Sequence, residues 1–169
     1  MPNNLRTIEA SSPDSLDGLG RICAELKSRL NAAGVKDLGF DENREQERRY
    51  LSEPERIVRT LTTFFCGCSN AGTLYEHLDW GLNLLPEITA IGATGCANAL
   101  RGLVSFQRKD QQLQEQSKAG EITDDEYDRR WAAMLQERAE IEREAEGDFL
   151  WADLLWRYAL EHRAEILSS

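Results

Sequence analysis

Three features of the sequence predict an all-α protein, a single-domain bundle of about six to eight helices spanning residues 1–169. Apolar residues recur at three- and four-residue spacing through most of the chain. Helix-start signals of the form Ser/Thr-x-x-Glu precede two of these runs. No run of alternating apolar and polar residues is long enough for a strand, and no internal repeat is visible.

Residues 1–11 are polar and are expected to form a frayed tail. Ser12-Pro13-Asp14 then reads as a helix start, with serine as cap and proline at the first helical position. Leu16, Leu19, Ile22, Cys23, Leu26 and Leu30 mark one apolar face, and Gly34 is the expected stop. Residues 41–49, DENREQERR, lack any apolar side chain and read as a solvated helix or tether.

Ser52-Glu53-Pro54-Glu55 is a capping box, and the helix it opens places Ile57, Val58, Leu61, Phe64 and Phe65 on one side. The stretch 64–106 that follows carries Cys66, Cys68 and Cys96, and Arg101 is its one Lys or Arg, so it has the character of a core. Residues 66–70 are expected to break the helix, 73–78 to form a short helix and 79–84 a turn, with Pro86 early in the next helix. Ile88, Ile91, Cys96, Leu100, Leu103, Val104 and Phe106 continue an apolar face, with a break between two helices at Gly92 and Gly95.

The polar connection 107–120 is either an extension of the preceding helix or a mobile link. Thr123-Asp124-Asp125-Glu126 is a second capping box, opening a long helix with Tyr127, Trp131, Met134, Leu135 and Ile141 inward and Gly147 as its end. A last helix over 148–167 carries Phe149, Leu150, Leu154, Leu155, Tyr158 and Ile166. Trp151 and Trp156 lie about 140° apart on that helix, so either one serves an interface or the helix is buried nearly all round.

At 169 residues the chain is long enough for a self-sufficient core, and it needs no disulfide or metal to fold. The start of the chain lacks a signal peptide's basic and apolar segments, and no window approaches the roughly 18 apolar residues of a membrane span. A cytoplasmic location with reduced cysteines is the expectation. Thirty acidic against 20 basic residues give a net charge of −10, which opposes direct nucleic-acid binding.

Candidate chemistry is sparse. Cys66, Cys68, His77 and Cys96 bear zinc-preferred groups, but their spacing matches no strong zinc pattern, and buried thiols are the preferred reading. A cysteine nucleophile requires a base and an orienting group that the sequence does not bring together. Neither His77 nor His162 has the glutamate three residues earlier that helical di-metal sites use. No cofactor, metal or catalytic residue is assigned, and the protein is read as non-enzymatic.

The segment Ser52-Glu53-Pro54-Glu55-Arg56-Ile57 resembles the acidic-capped first helix of the small acidic bacterial DNA-mimic proteins. Asn70-Ala71-Gly72-Thr73 stands where that family has its Asn-Gly-Gly-Phe element, and Ile91-Gly92-Ala93 where a helix ends in Ile-Gly-Ala. GDFLWADLLWRYALEHRAEI, beginning at Gly147, is similar to the family's final helix. Ala71, Thr73 and Tyr75 depart from the pattern. The resemblance implies an all-helical fold, a homodimer and, for the member that names the family, occupation of a transcription factor's DNA-binding face.

From Glu140 onward eight acids face three arginines, and Asp124, Asp125, Glu126 and Asp128 form a second cluster. Asp124, Asp125, Asp128, Glu140, Glu142, Glu144 and Glu146 are the expected partner-binding carboxylates, because such rows can imitate duplex phosphates. The alternative is an ordinary solvated surface. The functional expectation is a non-catalytic protein-binding module holding the basic site of a DNA-binding protein. An immunity-type protein that neutralises a basic toxin is the alternative.

Overall fold

The computed structural model describes residues 4–35 and 45–168. Among these residues the chain is all helical, with no strand. They gather into two compact units, residues 1–67 with 150–169 and residues 68–149.

The first unit opens with α1 (Leu5–Ser11), capped by the Asn4 side chain, which accepts the Thr7 N–H. Leu5 and Ile8 are buried in this unit, so residues 5–11 are not a frayed tail. Two apolar residues three apart were enough to seat this short helix, although the surrounding composition is polar. The next helix, α2 (Ser15–Ala32), is capped by Asp14, whose carboxylate accepts the Asp17 N–H at 2.7 Å. Asp14 thus takes the role expected of Ser12, and Pro13 precedes the helix. Leu19, Ile22, Leu26 and Leu30 are buried as their spacing predicts, whereas Leu16 is exposed. Gly34 ends the helix at φ +75, where a Cβ would be strained.

Of the charged run 41–49, residues 41–44 lie outside the described residues. Within the remainder Glu47 is buried rather than solvated, because it pairs with Arg59. Helix α3 (Glu53–Cys68) starts at the predicted capping box: Ser52 N–H donates to Glu55 Oε2 at 2.8 Å, and Glu55 N–H to Ser52 Oγ at 3.4 Å. Ile57, Val58, Leu61, Phe64 and Phe65 are all buried.

The second unit begins with a 3-10 helix (Ala71–His77), then α4 (Leu78–Asn83) and α5 (Leu85–Ala90). The expected turn at 79–84 is therefore mostly helix, and the expected break inside 66–70 falls at Ser69, at φ +57, after Cys68. Asn70 has an extended backbone at the 3-10 start, and its side chain does not cap.

The long hairpin of this unit is α6 (Thr94–Lys118) packed on α7 (Asp124–Arg143). Residues 107–118 extend α6, which selects the helical of the two alternatives for 107–120. Leu113 and Asp110 on this extension are buried. Helix α7 ends at Arg143, before Gly147, and a 3-10 turn (Glu146–Phe149) follows. In α7, Leu135 points outward against expectation and is 42% exposed.

Back in the first unit, α8 (Trp151–Glu161) packs on α2. It is shorter at both ends than the expected helix over 148–167, and Leu150 is exposed just before it. Trp151 stacks on Phe65 with centroids 5.5 Å apart, and Trp156 lies against Gly18, where a Cβ would collide with the indole. Both tryptophans pack within the unit, on different partners, as a helix covered on most sides requires.

Candidate functional site

The acidic candidates of the second unit stand on α7 and the turn after it. Thr123 Oγ1 accepts the Glu126 N–H at 3.3 Å, which is one half of the predicted capping box. The other half is not formed, because Glu126 turns to Arg129 and to Arg130, whose Nε lies 2.6 Å away. The Arg130 hydrogen bond leads the effects that hold Glu126 below the usual carboxylate range. With both arginines engaged on Glu126, Asp124, Asp125 and Asp128 remain exposed, and among the described residues none forms an ion pair. They also stand in the first turns of the helix, where its positive end favours negative charge.

Glu140, Glu144 and Glu146 are exposed at the far end of α7. Twelve residues separate Asp128 from Glu140, a rise of about 18 Å. Exposed Ala132, Leu135, Gln136 and Ala139 lie between the clusters, and Arg143 stands within the second. The carboxylates therefore form two ends rather than one continuous row.

Glu142 does not belong to that surface. It is 8% exposed, and Arg138 Nε donates to its Oε1 at 2.9 Å. Burial pushes its carboxyl above the ordinary value, opposed by the hydrogen bond and charge of Arg138 and by a backbone hydrogen bond from Tyr75. Charge composition alone placed it outside, but the Arg138–Glu142 spacing of four residues puts the pair on one helix face.

Arg138 anchors a polar network that the sequence did not announce. Its Nη2 donates to the Gly72 carbonyl at 2.9 Å, and its guanidinium lies 4.8 Å from the Tyr75 ring centroid. Tyr75 donates to Asp110 Oδ2 at 2.9 Å, and Gln114 donates to Asp110 Oδ1 at 2.8 Å. Burial, and then the hydrogen bond to Asp110, push the Tyr75 phenol up to about 12. Phe106 meets Tyr75 edge-on at 5.0 Å. Every polar member has a partner, so the cluster fixes the 3-10 helix against the hairpin and keeps no group in reserve for chemistry.

The motif residues have structural assignments. Gly72 supplies the carbonyl for Arg138, while Asn70 receives the Thr73 N–H and hydroxyl on its carbonyl and donates its own N–H to the Cys68 carbonyl. Ile91-Gly92-Ala93 closes α5: Gly92 at φ +83 donates to Thr89, and Ala93 N–H reaches back to Ile88, which satisfies the last carbonyls. Ile91 and Ala93 are buried.

Of the cysteines, Cys66 is exposed, Cys23 partly buried, and Cys68 and Cys96 fully buried. Burial pushes the thiols of Cys68 and Cys96 up to about 12, where thiolate is scarce at neutral pH. His77 lies edge-on to Trp80, and His162 pairs with Glu165 at 3.2 Å. Among the described residues no three His, Cys, Asp or Glu side chains gather as metal ligands, and no helix is long and apolar enough to cross a membrane. No protein-family model, characterised protein or solved structure matches this chain.

Proposed function

We infer that the protein is a non-catalytic binding module whose acidic α7 surface engages a basic protein partner. The observation that supports this reading is the charge arrangement at the start of α7. Glu126 absorbs Arg129 and Arg130, and the exposed carboxylates of Asp124, Asp125 and Asp128 are left for an external cation. A rigid helix holds them, so binding them costs little ordering. Glu140, Glu144 and Glu146 extend the surface, more weakly because Arg143 stands among them.

In its finer form the partner is a DNA-binding protein whose basic face is occupied in place of duplex phosphates. The test is capture on the immobilised protein at low salt, identification of the captured protein, and challenge with duplex DNA. Displacement by DNA, together with loss of capture by the D124N/D125N/D128N variant, is the expected result. A captured basic toxin that DNA does not displace assigns the immunity-type role instead. Equal capture by both proteins, or none, leaves the acids as a solvated surface and refutes the reading.

A further inference from the structure

Residues 162–168 follow α8 and fold back onto the start of α3, all within the first unit. Ile166 and Leu167 are buried there, at 1% and 5% exposure. The segment's main chain is received by the two capping residues of α3. The Ser52 hydroxyl donates to the Glu165 carbonyl at 3.0 Å, and the Leu167 N–H donates to Glu55 Oε1 at 3.0 Å. Glu55 is itself 2% exposed, and Arg29 Nη1 donates to the same oxygen at 2.6 Å. A buried carboxylate held by an arginine and two backbone N–H groups is a fixed acceptor rather than an adaptable surface charge.

The seat therefore offers a carboxylate acceptor for a main-chain N–H, a hydroxyl donor for a main-chain carbonyl, and space for two consecutive aliphatic side chains. Those are the elements by which a short peptide is recognised. Leu167 occupies it at φ +53, in the left-handed region that a residue with a side chain adopts only at a cost. The contacts with α3 thus hold the segment in a backbone state it does not favour by itself. It is also non-helical and anchored by only two buried side chains, features that belong to the readily opened parts of a fold.

We propose that residues 162–168 are a latch, and that its seat on α3 is a peptide-binding site held by the chain's own Ile166-Leu167. When the latch lifts, the site accepts a peptide of the same chemistry: two adjacent aliphatic residues with a main-chain N–H for Glu55 and a carbonyl for Ser52. The tethered segment outcompetes free peptides through its high local concentration, so the site is silent until the latch is displaced. It uses none of the acidic residues of α7.

The test uses the full chain with Ile166→Glu and Leu167→Glu, which evicts the latch and leaves Ser52, Glu55 and Arg29 intact. A fluorescent RAEILS peptide, the sequence of residues 163–168, is titrated into both proteins. The expected result is at least tenfold tighter binding to the evicted variant, abolished by adding Glu55→Ala. Hydrogen exchange on the unaltered protein is the second measurement, with the Leu167 amide expected to exchange at least tenfold faster than the buried amides of α2 and α3. Equal or absent peptide binding by a variant that keeps its helical circular dichroism overturns the proposal. If the variant unfolds, exchange decides alone: a Leu167 amide that exchanges together with the α2 and α3 core overturns it, and a faster one upholds it.

Discussion

The Asp148 carboxylate accepts the backbone N–H of Cys96 at 2.7 Å, so α6 is capped by a residue 52 positions away. Gly95 makes the approach possible, because a Cβ there would run into the Glu144 carbonyl oxygen. The first turn of α6 and the turn after α7 are thereby joined. Replacing Asp148 with alanine is expected to cost about 1 kcal/mol, the usual value of a lost cap. Gly95→Ala forces backbone apart and is expected to cost about 1–3 kcal/mol. Urea unfolding of both variants checks this, and a Gly95→Ala protein as stable as the parent would show that the contact is not tight.

That pair also marks the limit of what the sequence discloses. The Ser52–Glu55 box is legible because both partners lie within one turn, whereas nothing in the spacing links Asp148 to Cys96. Periodicity correctly placed Leu61, Phe64, Leu100 and Phe106 inside, since helices bury one stripe. It also placed Leu16, Leu135 and Leu150 inside, and these are exposed. A helical face is wider than the neighbour that covers it, and only tertiary packing decides which edge residues are left out. Tyr75, Asp110 and Arg138 come from three separate elements, so their network had no local signature at all.

The Glu142 carboxyl is raised above its ordinary value chiefly by burial, and the sign of its effect follows. The stability it contributes is fully present below the unfolded-state value and is lost as pH rises through the folded one. Glu142→Gln removes that titration. The parent protein is therefore expected to gain stability relative to the variant as pH falls from neutral into the carboxylate range. Thermal unfolding of both across that range checks it, and parallel curves would mean that Arg138 fully offsets the burial of Glu142.

Thiol reactivity separates the four cysteines. Cys66 is exposed and is expected to react with maleimide first, whereas Cys68 and Cys96 should label only on unfolding. Burial pushes both thiols from an ordinary 9.0 up to about 12, so the stability they contribute is complete below 9.0 and lost as pH climbs towards 12. Labelling followed by peptide mass spectrometry gives the order. Early modification of Cys96 would contradict the packing of α6.

Glu55 binds three parts of the first unit together: Arg29 from α2, its own cap at Ser52, and the Leu167 N–H. Its removal leaves a partly buried arginine and two unmet donors. Glu55→Ala is expected to cost about 2–4 kcal/mol, more than a surface ion pair, because the lost partner is desolvated. Arg29→Ala should cost less, since Arg29 is 30% exposed and its removal leaves Glu55 two N–H donors. Equal losses from the two substitutions would mean that the ion pair alone, not the backbone donors, sets the value of Glu55.

The first turns of α7 connect the acidic surface to stability as well as to binding. Asp124 and Asp125 lie in the first turn at the positive end of the helix, and Asp128 follows one turn on. Neutralising all three as asparagines should therefore destabilise the second unit modestly, by about 1 kcal/mol in total at low ionic strength. If the carboxylates also meet a basic partner, the same variant should lose affinity by a far larger factor than this stability change predicts. The loss should shrink as salt is raised, because screening weakens the parent's binding while the neutral variant has little left to screen. Calorimetric titration at two salt concentrations, alongside unfolding of the free variant, separates the two contributions. An affinity loss that does not depend on salt would point to a misfolded α7 and away from charge recognition.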